Sequence, residues 1–154
     1  MKHDLLKLKT SSEPIHQYIT TESQGKDKFM TNRSMYKLNL DVIKDLKQYS
    51  EEVVIFAFSA EWCPDCHRNI PVLDLLNEVA GIEVRIFGHL MRDSKNHIKK
   101  WKIPPSPQEV EVFNVEKIPL IIILSKNGEE LGRIVENPPL GKTIEQTILE
   151  IIKK

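Results

Sequence analysis

The run Val53–Val54–Ile55–Phe56–Ala57–Phe58 constrains this chain more than any other stretch. It is continuously apolar, rich in β-branched and aromatic side chains, and bounded by Glu51–Glu52 on one side and Ser59–Ala60–Glu61 on the other. Its length suits a strand, and its lack of alternation means a strand buried on both faces. Such a strand needs other elements packed on each side, so the expected class is α/β with a central sheet. A chain of 154 residues is long enough for one domain with a real core.

The flanking segments fill in the order of elements. Leu40, Ile43, Leu46 and Tyr49 form one stripe of a helix, with Asn39 as its N-cap. After the strand, Pro64 stands at a first helical position, where its missing N–H costs nothing. Ile70, Leu73, Leu76 and Val79, with Leu75, mark the core face of that helix, and Gly81 ends it. Pro71 lies inside and is expected to kink it. Ile82–Phe87 reads as a second buried strand, Asp93–Trp101 as a short basic helix, and the proline-rich 103–107 as a stiff loop. Leu120–Leu124 and Leu131–Val135 flank Asn127–Gly128, the signal of a hairpin. Thr143 and Gln146 match a capping box ahead of Ile144, Ile148 and Ile151.

From residue 39 the order is αβαβαββα. The two strands joined through a helix should lie parallel in a right-handed unit, and the hairpin adds antiparallel strands. The expected architecture is a central mixed sheet with helices on both faces, spanning residues 36–154. Residues 1–35 are polar and weakly periodic. They read as a helical or irregular N-terminal extension, with a helix over Ile15–Ser23 and a break at Gly25–Asp27.

Bulk charge excludes some partners. The 22 basic and 22 acidic side chains cancel, leaving no overall field for nucleic acid or an anionic membrane. The apolar runs are too short to span a bilayer. The N-terminus has neither an apolar h-region nor a small-residue cleavage site, so the expectation is a cytoplasmic protein without a signal peptide.

Chemistry concentrates in Trp62–Cys63–Pro64–Asp65–Cys66–His67. These letters fit a dithiol switch, half of a zinc site, or the C-x-x-C-H attachment signature of c-type haem. The chain has only 2 cysteines, so zinc would need two histidines from His3, His16, His67, His89 and His97, and no pair has finger-like spacing. Haem attachment would need export and a distal ligand. His67 reads more simply as a polar residue in the first helical turn. The hexapeptide falls just after the C-terminal end of a buried strand, at a helix N-terminus, where sites in open α/β sheets are expected.

Taken with Pro71, with Ile118–Pro119 before the hairpin, and with Lys126–Asn127–Gly128–Glu129 at its turn, the stretch Ala60–Cys66 resembles the thioredoxin superfamily over about residues 36–154. The resemblance implies a thioredoxin fold and thiol–disulfide exchange. Cys63, near unpaired N–H groups and the positive end of the helix dipole, would be the nucleophile. Cys66, one turn later and more buried, would resolve the mixed disulfide. Pro64 would set the redox poise of the pair. Asp65 would oppose a thiolate, and a protonated His67 would offset it. Ile118–Pro119 matches the family's cis-proline, whose preceding backbone pairs with an extended substrate, and Pro119 would block metal capture. Trp62 would give substrates an apolar rim. Trp101 reads as packing. No metal or organic cofactor is implied: the redox group is the Cys63–Cys66 dithiol. The implied partners are disulfide-containing proteins or small molecules, and a reductase or low-molecular-weight thiol as electron donor.

One position departs from the family pattern. Six residues before the first cysteine, where typical thioredoxins carry a buried Asp that accepts the resolving thiol's proton, this chain has Ala57. Arg85 stands roughly where the family often places a Lys partner of that acid, and Glu61 is the nearest alternative acceptor in sequence. Two functions therefore stand side by side: a thiol–disulfide oxidoreductase, and a binding module of the same fold that docks extended peptides with little turnover. Metal or haem carriage is the weaker third class.

Overall fold

A computed structural model of the protein describes residues 2–92, 95, 101 and 103–154. The expected basic helix over Asp93–Trp101 lies largely outside the described residues. Glu13–Pro14 form β1, Val53–Phe58 β2, Glu83–Phe87 β3, Leu120–Ser125 β4 and Glu130–Val135 β5, arranged β1-β3-β2-β4-β5. β2 runs parallel to β3, while β4 pairs antiparallel with both β2 and β5. The mixed sheet is thus the one the element order implies. β1, at the far edge and antiparallel to β3, comes from the extension.

All of β2 is buried, and the register shows what covers each face. Ile55, Ile123 and Gly132 share one cross-strand row, and a Cβ on Gly132 would come within 2.8 Å of Ile151. Helix α7 (Ile144–Lys153) therefore lies on this face, in contact with α4 (Leu40–Lys47) and α5 (Pro64–Ala80). The opposite row holds Phe56, Ile122 and Arg85. Phe113, just after the short α6 (Glu109–Val112), packs 5.8 Å from Phe58 on that side. Arg85 donates there to the main-chain oxygens of Lys9 and Ser12 and to Ser12 Oγ, fastening the end of α1 (Leu5–Ser11). Helices thus cover both faces, and Arg85 has a structural task away from the cysteines.

The extension continues with α2 (Ile15–Thr20) and α3 (Lys26–Met35). The first ends earlier than expected, and Gly25, read as a break, is the N-cap of α3. Gly25 is needed there because a Cβ would come within 2.3 Å of the Glu61 carbonyl oxygen. α3 lies along α5, so α5 is covered on more of its circumference than one core stripe would require. Val72 and Asp74 are buried, whereas Val79, expected on the core face, is exposed. Leu40 is likewise exposed, because Val42 takes its place in the core face of α4.

Pro71 has a specific consequence. It has no N–H, so the carbonyl of His67, one turn earlier, loses its helical partner. Asn32 of α3 donates its side-chain N–H to that oxygen at 2.8 Å. Nearby, Arg33 Nε donates to the buried Asp74 carboxylate at 2.6 Å. Further on, the buried Glu145 accepts from Tyr36 Oη at 2.7 Å and from the Asn39 N–H at 2.9 Å, anchoring the link between α3 and α4. Asn32→Ala should leave the His67 oxygen unpaired and cost about 1–3 kcal/mol in denaturant unfolding. The loss should shrink in a Pro71→Ala background, which restores the helical N–H. Equal losses in both backgrounds would contradict this account.

Candidate active site

The sheet delivers Cys63 to the N-cap of α5. Its backbone is extended (φ −86°, ψ 118°), and its Sγ accepts the Cys66 N–H at 3.3 Å. The sulfur occupies the position of a capping oxygen, against the first unpaired amides of the helix. Cys66 lies one turn along and is fully buried, and both cysteines are free thiols.

Their surroundings drive the two thiols apart. The Cys66 thiol donates to Cys63 Sγ. With further help from the Cys66 N–H and Arg68, and against desolvation, this lowers the Cys63 pKa to about 7. Burial pushes the Cys66 thiol far up, and its hydrogen bond to Cys63 adds to the shift. The pair therefore shares one proton near neutrality, held on Cys66, with the more accessible sulfur as thiolate.

The Cys63 sulfur lies 3.9 Å from the carbonyl oxygen of Ile118. The Ile118–Pro119 peptide is cis, and the buried Pro119 accepts the Glu136 N–H at 2.8 Å through its carbonyl. Trp62 is 38% exposed and donates its indole N–H to Leu90 O at 3.1 Å. Its ring stacks on Trp101, with centroids 6.2 Å apart and 22° between planes. The reading of Trp101 as mere packing is therefore incomplete: it is buried, but it also forms one wall of the cleft. Trp62, Cys63, Trp101 and Ile118 line this cleft of about 390 Å³. Pro64 is exposed on the first turn of α5, and Asp65 pairs with Arg68 across that turn.

His67 lies in the first turns of α5 but faces inward. It is buried, its Nε2–H donates to the Glu61 carbonyl at 2.7 Å, and its ring meets Phe29 of α3 edge-on at 5.2 Å. It braces the loop before Cys63 rather than facing the thiolate. Sequence reasoning missed a polar group behind Cys66. Ser59, wholly buried, lies 2.9 Å from Tyr18 Oη, and Tyr18 donates to Glu61 at 2.8 Å. Tyr18 belongs to the extension, and no local pattern ties it to the motif. Ala57 is wholly buried in β2.

A sequence model described as thioredoxin matches residues 12–148. The chain belongs to the thioredoxin family. A thioredoxin of Rickettsia typhi is 27% identical over 105 residues, covering 68% of this chain and 83% of that one. Two solved structures align over 98% of both chains at 19% identity: a protein of unknown function from Pseudomonas aeruginosa, TM-score 0.72, and an HIV epitope-scaffold, TM-score 0.69. They share the fold, including the extension. Membership of the thioredoxin family and the adjoining cysteines give this protein a thioredoxin-like redox role. Among the described residues, no helix is long and apolar enough to cross a membrane, and no three His, Cys, Asp or Glu side chains cluster as metal ligands.

In this thioredoxin-family protein, iodoacetamide should label Cys63 first. The rate should rise through pH about 7 as the thiolate forms, well below the ordinary thiol midpoint of about 8.5. Cys66→Ala removes the largest stabiliser of that thiolate and should move the midpoint upward. Label mapped chiefly to Cys66, or a midpoint at the ordinary thiol value, would contradict the assignment.

Proposed function

We propose that this protein is a thiol–disulfide oxidoreductase working through a mixed disulfide at Cys63. The observation that carries the reading is the asymmetry of the pair: a depressed thiol at the helix cap above a buried, raised thiol one turn later. The Cys63 thiolate attacks a substrate disulfide, one S–S bond forming as another breaks and a substrate thiolate leaving. Cys66, once deprotonated, attacks Cys63 Sγ and releases the second substrate thiolate. The two electrons come from the dithiol, so the mechanism needs no metal or organic cofactor.

Substrates enter at the cleft between Trp62 and Ile118. Trp62 and Trp101 offer an apolar rim, and the Ile118 backbone, with Pro119 behind it, pairs with an extended segment. Pro64 shapes the approach, while Asp65 is held by Arg68. Disulfide-bearing proteins or small molecules are the substrates, with a reductase or a low-molecular-weight thiol as donor, in the cytoplasm. In this reading residues 36–154 carry both cysteines and the substrate cleft, and residues 1–35 pack against them.

The second reading, a peptide-docking module with little turnover, is favoured by the stacked tryptophans beside the cleft. Insulin reduction by dithiothreitol separates the two. The oxidoreductase should accelerate it, Cys63→Ser should abolish the acceleration, and Cys66→Ser should accumulate a mixed disulfide. A Cys63–Cys66 potential near about −270 mV, the value of thioredoxin itself, would identify a reductant, and one near about −120 mV an oxidant. Peptide binding with no acceleration would leave only the docking module.

A further inference from the structure

Resolution requires Cys66 to lose its proton, and the strand that leads to the motif offers nothing to take it. Polar side chains gather instead just beyond the end of β2. Ser59 sits beside Cys66, where its hydroxyl favours the Cys66 thiolate against the burial that opposes it. Ser59 Oγ lies 2.9 Å from Tyr18 Oη, which donates to Glu61 Oε2 at 2.8 Å. The Glu61 carboxylate also accepts from the His89 backbone N–H at 3.2 Å and from His89 Nδ1 at 2.6 Å. Side-chain exposure is 15% at Glu61 and 56% at His89, so the series runs from the dry interior to the surface.

The arrangement is built with some specificity. Tyr18 lies against Gly88, where a Cβ would come within 2.4 Å of its ring. His89 adopts φ +65°, unusual for a side-chain-bearing residue, and in that conformation both its backbone and ring N–H reach one carboxylate.

We propose that Ser59, Tyr18 and Glu61 form a proton relay that carries the Cys66 proton to solvent during resolution, in place of the carboxylate that position 57 lacks. The proposal rests on the thiol–disulfide reading above. A carboxylate only accepts, so Tyr18 donates to Glu61 and Ser59 donates to Tyr18; once Cys63 is tied up in the mixed disulfide and is no longer a thiolate acceptor, the Cys66 S–H turns from it to the Ser59 oxygen. The Cys66 proton passes to Ser59 Oγ, the Ser59 proton to Tyr18 Oη, and the Tyr18 proton to Glu61. Every hydroxyl is restored, and Ser59 then donates to the new thiolate. Cys66 attacks Cys63 Sγ, the Cys63–substrate bond breaks, and the substrate leaves as a thiolate. Glu61 returns the proton to water at its exposed edge.

Burial raises both the Cys66 thiol and the Tyr18 hydroxyl above their ordinary ranges. Neither ionises readily alone, which favours protons moving together. The charged and titratable neighbours are His89 and, 3.7 Å from it, Glu13 at the surface end. Cys63 and His67 lie at the inner end, where His67 donates to the Glu61 main chain. In the relay Ser59 is the group that exchanges a proton with the reacting sulfur, whereas Tyr18 and Glu61 act through it as positioning residues.

Reduced protein mixed with 5,5′-dithiobis(2-nitrobenzoate) in stopped flow releases one thionitrobenzoate when Cys63 attacks and a second when Cys66 resolves. Tyr18→Phe keeps the ring and removes the hydroxyl. Its second phase should slow relative to the first, on the order of a hundredfold near pH 7, the scale of general acid–base assistance. It should also become proportional to hydroxide, while the wild-type second phase varies weakly across neutral pH. Glu61→Gln should give the same change of profile and decides the matter if Tyr18→Phe does not fold. A wild-type second-phase rate and pH profile in these variants would overturn the relay. So would equal slowing of both phases, which marks a structural role. A wild-type protein that releases no first equivalent would overturn the redox reading itself, and the relay with it.

Discussion

The complete burial of β2 is the constraint to which the rest of the protein answers. A strand with no wet face must be paired on both edges and covered on both sides, because an unpaired backbone group there would cost as much as a lost hydrogen bond. β3 and β4 supply the edges, α4, α5 and α7 one cover, and α1 with the segment around Phe113 the other. The same burial makes any carboxylate in the strand costly unless it is paired or protonated, and at position 57 this chain has Ala57 and no such group. The polar groups near Cys66 accordingly begin at Ser59 and Glu61, where the chain has left the strand and can reach the surface.

α5 joins the core to the chemistry. Its N-terminus presents amides to the Cys63 sulfur, and its body is gripped by the extension through Asn32 and Arg33. The proline within it opens a gap in the helical ladder one turn above the cysteines, and a side chain from α3 closes that gap. The extension is therefore part of the site's support. It also supplies Tyr18, fixes Gly25 against the Glu61 carbonyl, and adds β1 to the sheet edge.

Much of this was legible in the chain. The buried strand, the Asn39 cap, the left-handed Gly81 and the hairpin around Gly128 each rest on a local rule that the tertiary structure obeys. The cysteines were legible for the same reason: helix capping acts within a single turn. Leu40 and Val79 were misread because periodicity says which residues share a stripe, while the neighbouring helices decide which stripe is covered. The extension was underread because its helices are short and polar, and they are held by contacts to α5 and β3 rather than by their own amphipathicity.

The sequence by itself determined the α/β order, the position of the dithiol at a helix start, and the absence of an acid on the strand beneath it. Those features depend on residues close together along the chain, where propensity, capping and spacing act. Only the tertiary structure decided what surrounds the thiols: Trp101 against Trp62, His67 turned inward beneath Phe29, and Tyr18 bridging Ser59 and Glu61. Such contacts join distant segments through packing and register, and no local pattern encodes them. The motif itself supplies the hydrogen bonds from Cys66 that lower the Cys63 thiol, and burial in the folded core raises the Cys66 thiol.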